Sequence, residues 1–138
     1  MNSRRPMEKL HCRGVDGVIR EYSVSISNCV NDIWIEVEAS DTGAGKLEMV
    51  LEPQGEMLWL KYIERSDTEA FVGKGVAEAI IVESARYFKK QLISTYHASD
   101  DYGRSESATK MWQRLVANGL AKHDESSDRF VTSITIPL

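Results

Sequence analysis

A chain of 138 residues is the size of one domain with a real core, and its 42% hydrophobic and 28% charged residues match ordinary soluble proteins. A net charge of −4 and a pI near 5.4 argue against a non-specific nucleic-acid binder, which needs surplus Lys and Arg to displace phosphate counterions. No apolar run is long enough to cross a bilayer, and "MNSRRPMEKLH" has no apolar segment behind its basic residues, so no secretory leader and a cytoplasmic location are expected. Arg4-Arg5 and Lys89-Lys90 read as solvated surface. Cys12 and Cys29 are too few for a disulfide framework and read as free thiols. Together with His11, His97 and His123 they lack ligand spacing, so no metal is expected.

Taken along the chain, the first half alternates. "VIREYSVSI" places Val18, Arg20, Tyr22, Val24 and Ile26 on one side. "IWIEVEA" does so with Ile33, Ile35, Val37 and Ala39, and "KLEMVLE" with Leu47, Met49 and Leu51. A period of two marks strands with one face on a core, and the short turns "SNCVND", "ASDTGAG" and "PQGE" favour antiparallel neighbours. "MLWLKYI", Met57 to Ile63, is almost continuously apolar and predicts a central strand covered on both faces.

From Gly75 the period becomes helical, with Ala77, Ile80, Ile81, Ser84, Ala85 and Phe88 on one face and an end near Leu92. "LISTYHA" predicts a strand. After "SDDYGRSES", with Ser105 and Ser107 as N-cap candidates, a second helix carries Ala108, Met111, Trp112 and Leu115 on one face and stops at Gly119. "LAKH" and "RFVTSITIPL" predict two more strands, with Phe130, Ile134 and Ile136 sharing a face. The three tryptophans, Trp34, Trp59 and Trp112, are expected in the core. The sum is one α+β domain over residues 1–138. Its sheet is mixed, mostly antiparallel and twisted, with a central strand–Gly turn–helix–strand unit that should be parallel, and a second helix.

"FVGKGVAEAI" is the stretch closest to chemistry. A Gly-rich turn that opens a helix presents unpaired N–H groups and the positive end of the helix dipole, a place for phosphate. It is neither a Walker A loop nor a full dinucleotide fingerprint. By itself it is equally a tight turn between strand and helix.

In context, the order of a buried strand, a polar loop, this turn, a helix, a strand and the helix "SESATKMWQRL" resembles the GNAT superfamily of N-acetyltransferases. Val72-Gly73-Lys74-Gly75-Val76-Ala77 meets that family's [QR]-x-x-G-x-[GA] turn at Gly75 and Ala77, with Val72 where Gln or Arg is usual. In the family's N-x-x-A-x-x-[LM]-Y element, Ala108 and Met111 match, Ser105 stands for Asn and Trp112 for Tyr. The resemblance runs from Met57 to the C-terminus. The family's helical pair after its first strand is shortened or absent here.

The resemblance implies acetyl-CoA as co-substrate and direct transfer of its acetyl group to an amine, on a small molecule or a protein. The strand end Tyr62, Ile63, Glu64 and Arg65 would hold the pantetheine arm through its backbone. The amides of Val72, Gly73, Lys74, Gly75, Val76 and Ala77 would hold the pyrophosphate, with Ser105 and Trp112 on the cofactor side. An indole is no useful acid, so Tyr102 stands in as the acid candidate, against the reading of a surface-loop tyrosine. Glu64 is the base candidate, against that of a solvated strand-end carboxylate, and His97 a weaker one. An acceptor site left open by the missing helices suits a protein amine or completion by a second subunit in a homodimer. A non-catalytic relative that binds CoA or a protein partner is the alternative, and a nucleotide-phosphate binder a weaker third.

Overall fold

The computed structural model describes residues 3–6, 9–39, 45–95 and 106–133. Among them nine strands and two helices follow the order β1 (Ser3–Pro6), β2 (Leu10–Arg13), β3 (Ile19–Asn28), β4 (Ile33–Ala39), β5 (Lys46–Gln54), β6 (Met57–Arg65), α1 (Val76–Phe88), β7 (Leu92–Ile93), α2 (Glu106–Ala117), β8 (Ala121–Asp124) and β9 (Arg129–Thr132). The strands form one mixed sheet in the spatial order β1-β3-β4-β5-β6-β7-β9-β8, with β2 following β1 along the same edge of β3. Every pairing is antiparallel except β6 with β7, the two strands joined by α1. This is the α+β, mixed-sheet architecture that the alternation and its switch to a helical period predict.

One face of the sheet carries the core. Tyr22, Val24, Ile26, Ile35, Val37, Leu47, Met49, Leu51, Leu58 and Leu60 are all buried on it, joined by Val76, Ile80, Ile81 and Ala85 of α1 and Met111, Trp112 and Leu115 of α2. Burial of this kind contributes about 25 cal/mol per Å2 of apolar surface and is the main force holding the layers together. Val18 lies just outside β3 and is exposed.

The β6 reading needs correction. Only Leu58 and Leu60 are buried; Met57, Trp59 and Ile63 are half-buried, and Lys61 and Tyr62 are exposed. The apolar run does not mean cover on both faces. Large side chains shelter one another on the outer face instead: the Lys61 ammonium lies 5.7 Å from the centre of the Trp59 ring, and Val50 is buried where Trp34 and Tyr62 flank it in register. Trp34 is accordingly no core residue but 40% exposed on that face.

Two boundaries also shift. Helix α1 ends at Phe88, earlier than its period suggests, because Lys89 takes a left-handed conformation (φ 55°) and the Lys89 and Lys90 N–H groups donate to Arg86 and Ala85 carbonyls. Of the strand expected over "LISTYHA", Leu92–Ile93 is strand, Ser94 and Thr95 are not, and the last three residues lie outside the described ones. Ser107 lies inside α2 and does not cap it. Gly119, at φ 76°, closes α2 as expected, with the Leu120 N–H donating to the Leu115 carbonyl. His97, Tyr102, Ser105, Ile134 and Ile136 lie outside the described residues.

Strands β1 and β2 were not legible in the sequence, yet β2 fixes the glycine turn. Gly75, at φ 73°, is the residue that precedes α1, and a Cβ there would run into the carbonyl oxygen of Arg13 at the end of β2. The Val15 N–H donates to the Gly73 carbonyl at 2.9 Å. Glycine at 75 is therefore demanded by backbone packed on backbone, as well as by its positive φ. Gly73, at φ 68°, meets only the Val15 side chain at 3.5 Å.

Gly75→Ala should therefore cost about 2 kcal/mol or more and Gly73→Ala about 1 kcal/mol, read from urea unfolding midpoints. Equal costs would show that strain alone, without the Arg13 contact, governs the turn.

Cys12 is buried in β2, and burial, then the Glu78 carboxylate, pushes its thiol up to about 12, whereas Cys29 sits half-buried in the β3–β4 turn. At pH 8 a thiol reagent should label one cysteine per folded chain, Cys29, and both only after denaturation. The sign of the Cys12 shift also fixes a pH dependence. The folded state prefers the neutral thiol, so this contribution is intact below about pH 9 and is lost as pH rises toward 12. Cys12→Ala should flatten the alkaline fall in the urea midpoint relative to the parent.

Candidate functional site

β6 and β7 run side by side only at Leu58–Leu92 and Trp59–Ile93. β7 then ends, while β6 continues to Arg65, so from Leu60 onward the β7 side of β6 has no strand partner among the described residues. A cleft of about 690 Å3 opens at this parting, within the size range of ligand sites. Leu47, Leu60, Met111 and Trp112 give it apolar lining. Tyr62, Ile63, Glu64 and Arg65 bring the end of β6, Ala77 the first turn of α1, Thr95 the exit from β7, and Lys110 and Arg114 one side of α2.

The end of β6 owes its aim to a bulge. Val50 opposes Tyr62 but Leu51 opposes Leu60, so Lys61 is an extra residue on β6. Its ammonium is held by Glu52 at 3.0 Å and Asp32 at 3.3 Å. Beyond the bulge, Tyr62 and Glu64 stand two apart on one face, and the Tyr62 hydroxyl donates a short hydrogen bond to the Glu64 carboxylate. That bond, more than burial, pushes the Tyr62 phenol up to about 12.

Charge in the lining is fixed by partners. Lys61, Arg65, Lys110 and Arg114 face Glu64 and Asp67, four cations against two carboxylates in a chain of net charge −4. Arg114 reaches across to Glu78 of α1, Arg65 pairs with Asp67 at 3.1 Å, and Lys110 with Glu106 at 3.7 Å. The Glu78–Arg114 pair ties the two helices together on either side of the cleft. The first turn of α1 has no side-chain cap, so its leading N–H groups are free of side-chain acceptors where Ala77 meets the cleft.

Of the residues singled out in the sequence, the cleft gathers Tyr62, Ile63, Glu64, Arg65 and Ala77, with Ala108, Met111 and Trp112 of the second motif. Val72, Gly73, Lys74, Gly75 and Val76 are not in its lining: Val72 is 46% exposed, Val76 belongs to the core, and Gly75 is spent on Arg13. Tyr102 and Ser105 fall outside the described residues. Trp112 is 1% exposed and stacks on Phe130 with ring centres 5.8 Å apart, so its lining role is that of a core residue showing one edge. Sequence reasoning took Tyr62 only for its backbone. The period of two that places it beside Glu64 was the available signal. Lys110 and Arg114, i and i+4 on α2, carried a signal too, as the polar flank next to the Met111–Trp112–Leu115 stripe.

Fold and cleft together define an α+β protein in which the lone parallel strand pair among the described residues parts over a ligand-sized cavity. No protein-family model, curated protein or solved structure matches the chain. Among the described residues no group of His, Cys, Asp and Glu is placed to hold a metal, and no helix is long and apolar enough to cross a membrane.

Trp112→Ala should cost about 3–5 kcal/mol in urea unfolding, the range for a buried aromatic, whereas Lys110→Ala on the cleft's polar side should stay within about 0.5 kcal/mol of the parent. A mild Trp112 variant would mark that ring as a cleft residue first.

Proposed function

We propose that the chain is an acetyl-CoA-dependent N-acetyltransferase of the GNAT type, moving an acetyl group directly to an amine. The observation that carries the reading is the parting of β6 from β7 over a cleft that runs from the free edge of β6 to the uncapped start of α1. The unpaired strand edge offers N–H and C=O groups that a pantetheine amide chain would satisfy as an added strand does. The N–H groups and dipole of α1 suit a pyrophosphate, and Arg65, Lys110 and Arg114 lie along the same cleft.

The fit is better at Ala77 than at the glycines. The space that Gly75 leaves is filled by the Arg13 carbonyl, an acceptor that would repel a phosphate, so the anion must meet α1 from the Ala77 side. In the reaction a neutral amine attacks the thioester carbonyl carbon, the C–N bond forms, and the C–S bond breaks with its electron pair on sulfur. The chain's part is to align the two, to oppose the developing oxyanion with edge N–H groups of β6, and to move protons.

One observation favours CoA binding without transfer. The position where the resemblance places a tyrosine is filled by Trp112, buried against Phe130 and unable to act as an acid. Acetyl-CoA binding with no product on a broad amine panel would mark that alternative.

Thermal unfolding with acetyl-CoA tests the reading. Binding to the folded state alone adds about 2.7 kcal/mol at a hundredfold excess over Kd, a plain rise in Tm. Ala77→Glu, read against its own Tm without ligand because Ala77 packs partly on the core, should remove the rise by repelling the pyrophosphate. No rise for the parent at millimolar-order acetyl-CoA would overturn both CoA readings.

A further inference from the structure

We propose that Tyr62 is the proton donor to the departing thiolate, with Glu64 behind it as the group that first strips the amine, so that the two side chains form one proton path across the cleft. This rests on the acetyltransferase reading, keeps Glu64 as the base candidate the sequence offered, and gives the acid role to a side chain, Tyr62, that the family resemblance uses only for its backbone.

Three observations place it here. Tyr62 and Glu64 both line the cleft, and the phenol O–H already donates to the carboxylate. Tyr62 is 43% exposed at the strand end where β6 has left β7, on the cleft's open side. The other described tyrosines and histidines are committed elsewhere. The Tyr22 hydroxyl donates to the Ala70 carbonyl under the sheet, Tyr87 sits edge-on to Phe88 on α1, His11 faces Glu21, and His123 bonds Asp128 at 2.8 Å. None of these four lines the cleft.

The steps balance. An ammonium acceptor gives a proton to the Glu64 carboxylate and becomes a neutral amine. The amine nitrogen attacks the thioester carbon, and the tetrahedral intermediate expels the thiolate with the C–S electron pair. The thiolate takes the Tyr62 proton, and the carboxylic acid of Glu64 refills the tyrosinate. The second proton lost from nitrogen as the amide forms leaves to solvent. Overall, ammonium and acetyl thioester give amide, thiol and one released proton. While Glu64 is ionised, its hydrogen bond holds the phenol up at about 12 and protonated. Once Glu64 has taken the amine's proton, that cause is gone and the phenol is free to turn and donate.

The test uses Tyr62→Phe, which removes one exposed oxygen, and Glu64→Gln, which keeps an acceptor for Tyr62. Transfer is followed with two acetyl donors, acetyl-CoA and S-acetylthiophenol, to a panel of butylamine, spermidine and a lysine-containing peptide. S-acetylthiophenol carries a leaving group acidic enough to depart unprotonated. Tyr62→Phe should keep the acetyl-CoA thermal shift, lose about 100-fold in transfer from acetyl-CoA, and lose little with S-acetylthiophenol. Glu64→Gln should lose transfer with both donors, and the double variant should be no slower with acetyl-CoA than the slower single one. Tyr62→Phe as fast as the parent, or equally slowed with both donors, overturns the path while leaving the acetyltransferase reading intact. A parent that neither binds acetyl-CoA nor transfers overturns that reading and the path with it.

Discussion

The contact on which the rest depends is backbone against backbone, Gly75 against the Arg13 carbonyl. It can exist only because residue 75 has no Cβ and tolerates a positive φ. It pins the start of α1 to the end of β2, and the Val15–Gly73 hydrogen bond locks the same turn from the hairpin above it. The loop leading in is held as well, since Tyr22 donates to Ala70 and its ring packs on Phe71 at 5.5 Å. The N-terminal hairpin thus acts as a clamp on the strand-to-helix turn. Helix α1 is left free to present its other side, through Ala77, to the cleft.

With α1 fixed at its start, the crossover back to β7 can pair only briefly. β7 is two residues long, and at Leu92 and Ser94 the chain is cross-linked to β9: the Ser94 N–H donates to the Phe130 carbonyl, the Ser94 hydroxyl accepts the Phe130 N–H, and Thr132 accepts the Leu92 N–H through its hydroxyl. One of these is a backbone bond of the ladder kind, and the other two enlist the Ser94 and Thr132 hydroxyls to add to it. They draw the chain toward β9 and away from β6, and the gap so made is the cleft. The backbone groups on the β7 side of β6 beyond Trp59 are thereby left without a strand partner among the described residues.

What was legible follows from length and period. Strands β3 to β5 and both helices announce themselves because seven or more residues repeat one spacing, β6 because its apolar run is long, and the Gly119 stop has the residue type its geometry wants. β1 and β2 are four residues each, too short for a period to emerge, and they exist because β3 offers a long free edge. The end of α1 was hidden because Lys89 adopts a conformation that usually signals glycine. At the site, the glycines were read as a phosphate device, yet a sequence cannot tell a glycine kept for a ligand from one kept for a neighbouring carbonyl. The Tyr62 side chain was passed over for the opposite reason. It looked like part of an apolar run; the period of two pairs it with Glu64, and the bulge at Lys61 decides that the pair faces out.

The outer face of the sheet gives a last reason to attend to Glu64. Glu36, Glu48 and Glu64 are direct cross-strand neighbours on β4, β5 and β6, a row of like charges that works against the sheet. Lys46 reaches Glu36 at 3.5 Å and Glu48 at 3.4 Å, which offsets the repulsion between those two. The hydroxyl of Tyr62 is what serves the third, and it supplies a proton donor without a positive charge. A sheet tuned for stability alone would place a cation opposite Glu48 at that edge. The chain instead keeps a carboxylate, screened by a phenol, at the one end of the row that opens into the cleft. Local rules are broken most often where a chain does chemistry, and here the break and the cavity coincide.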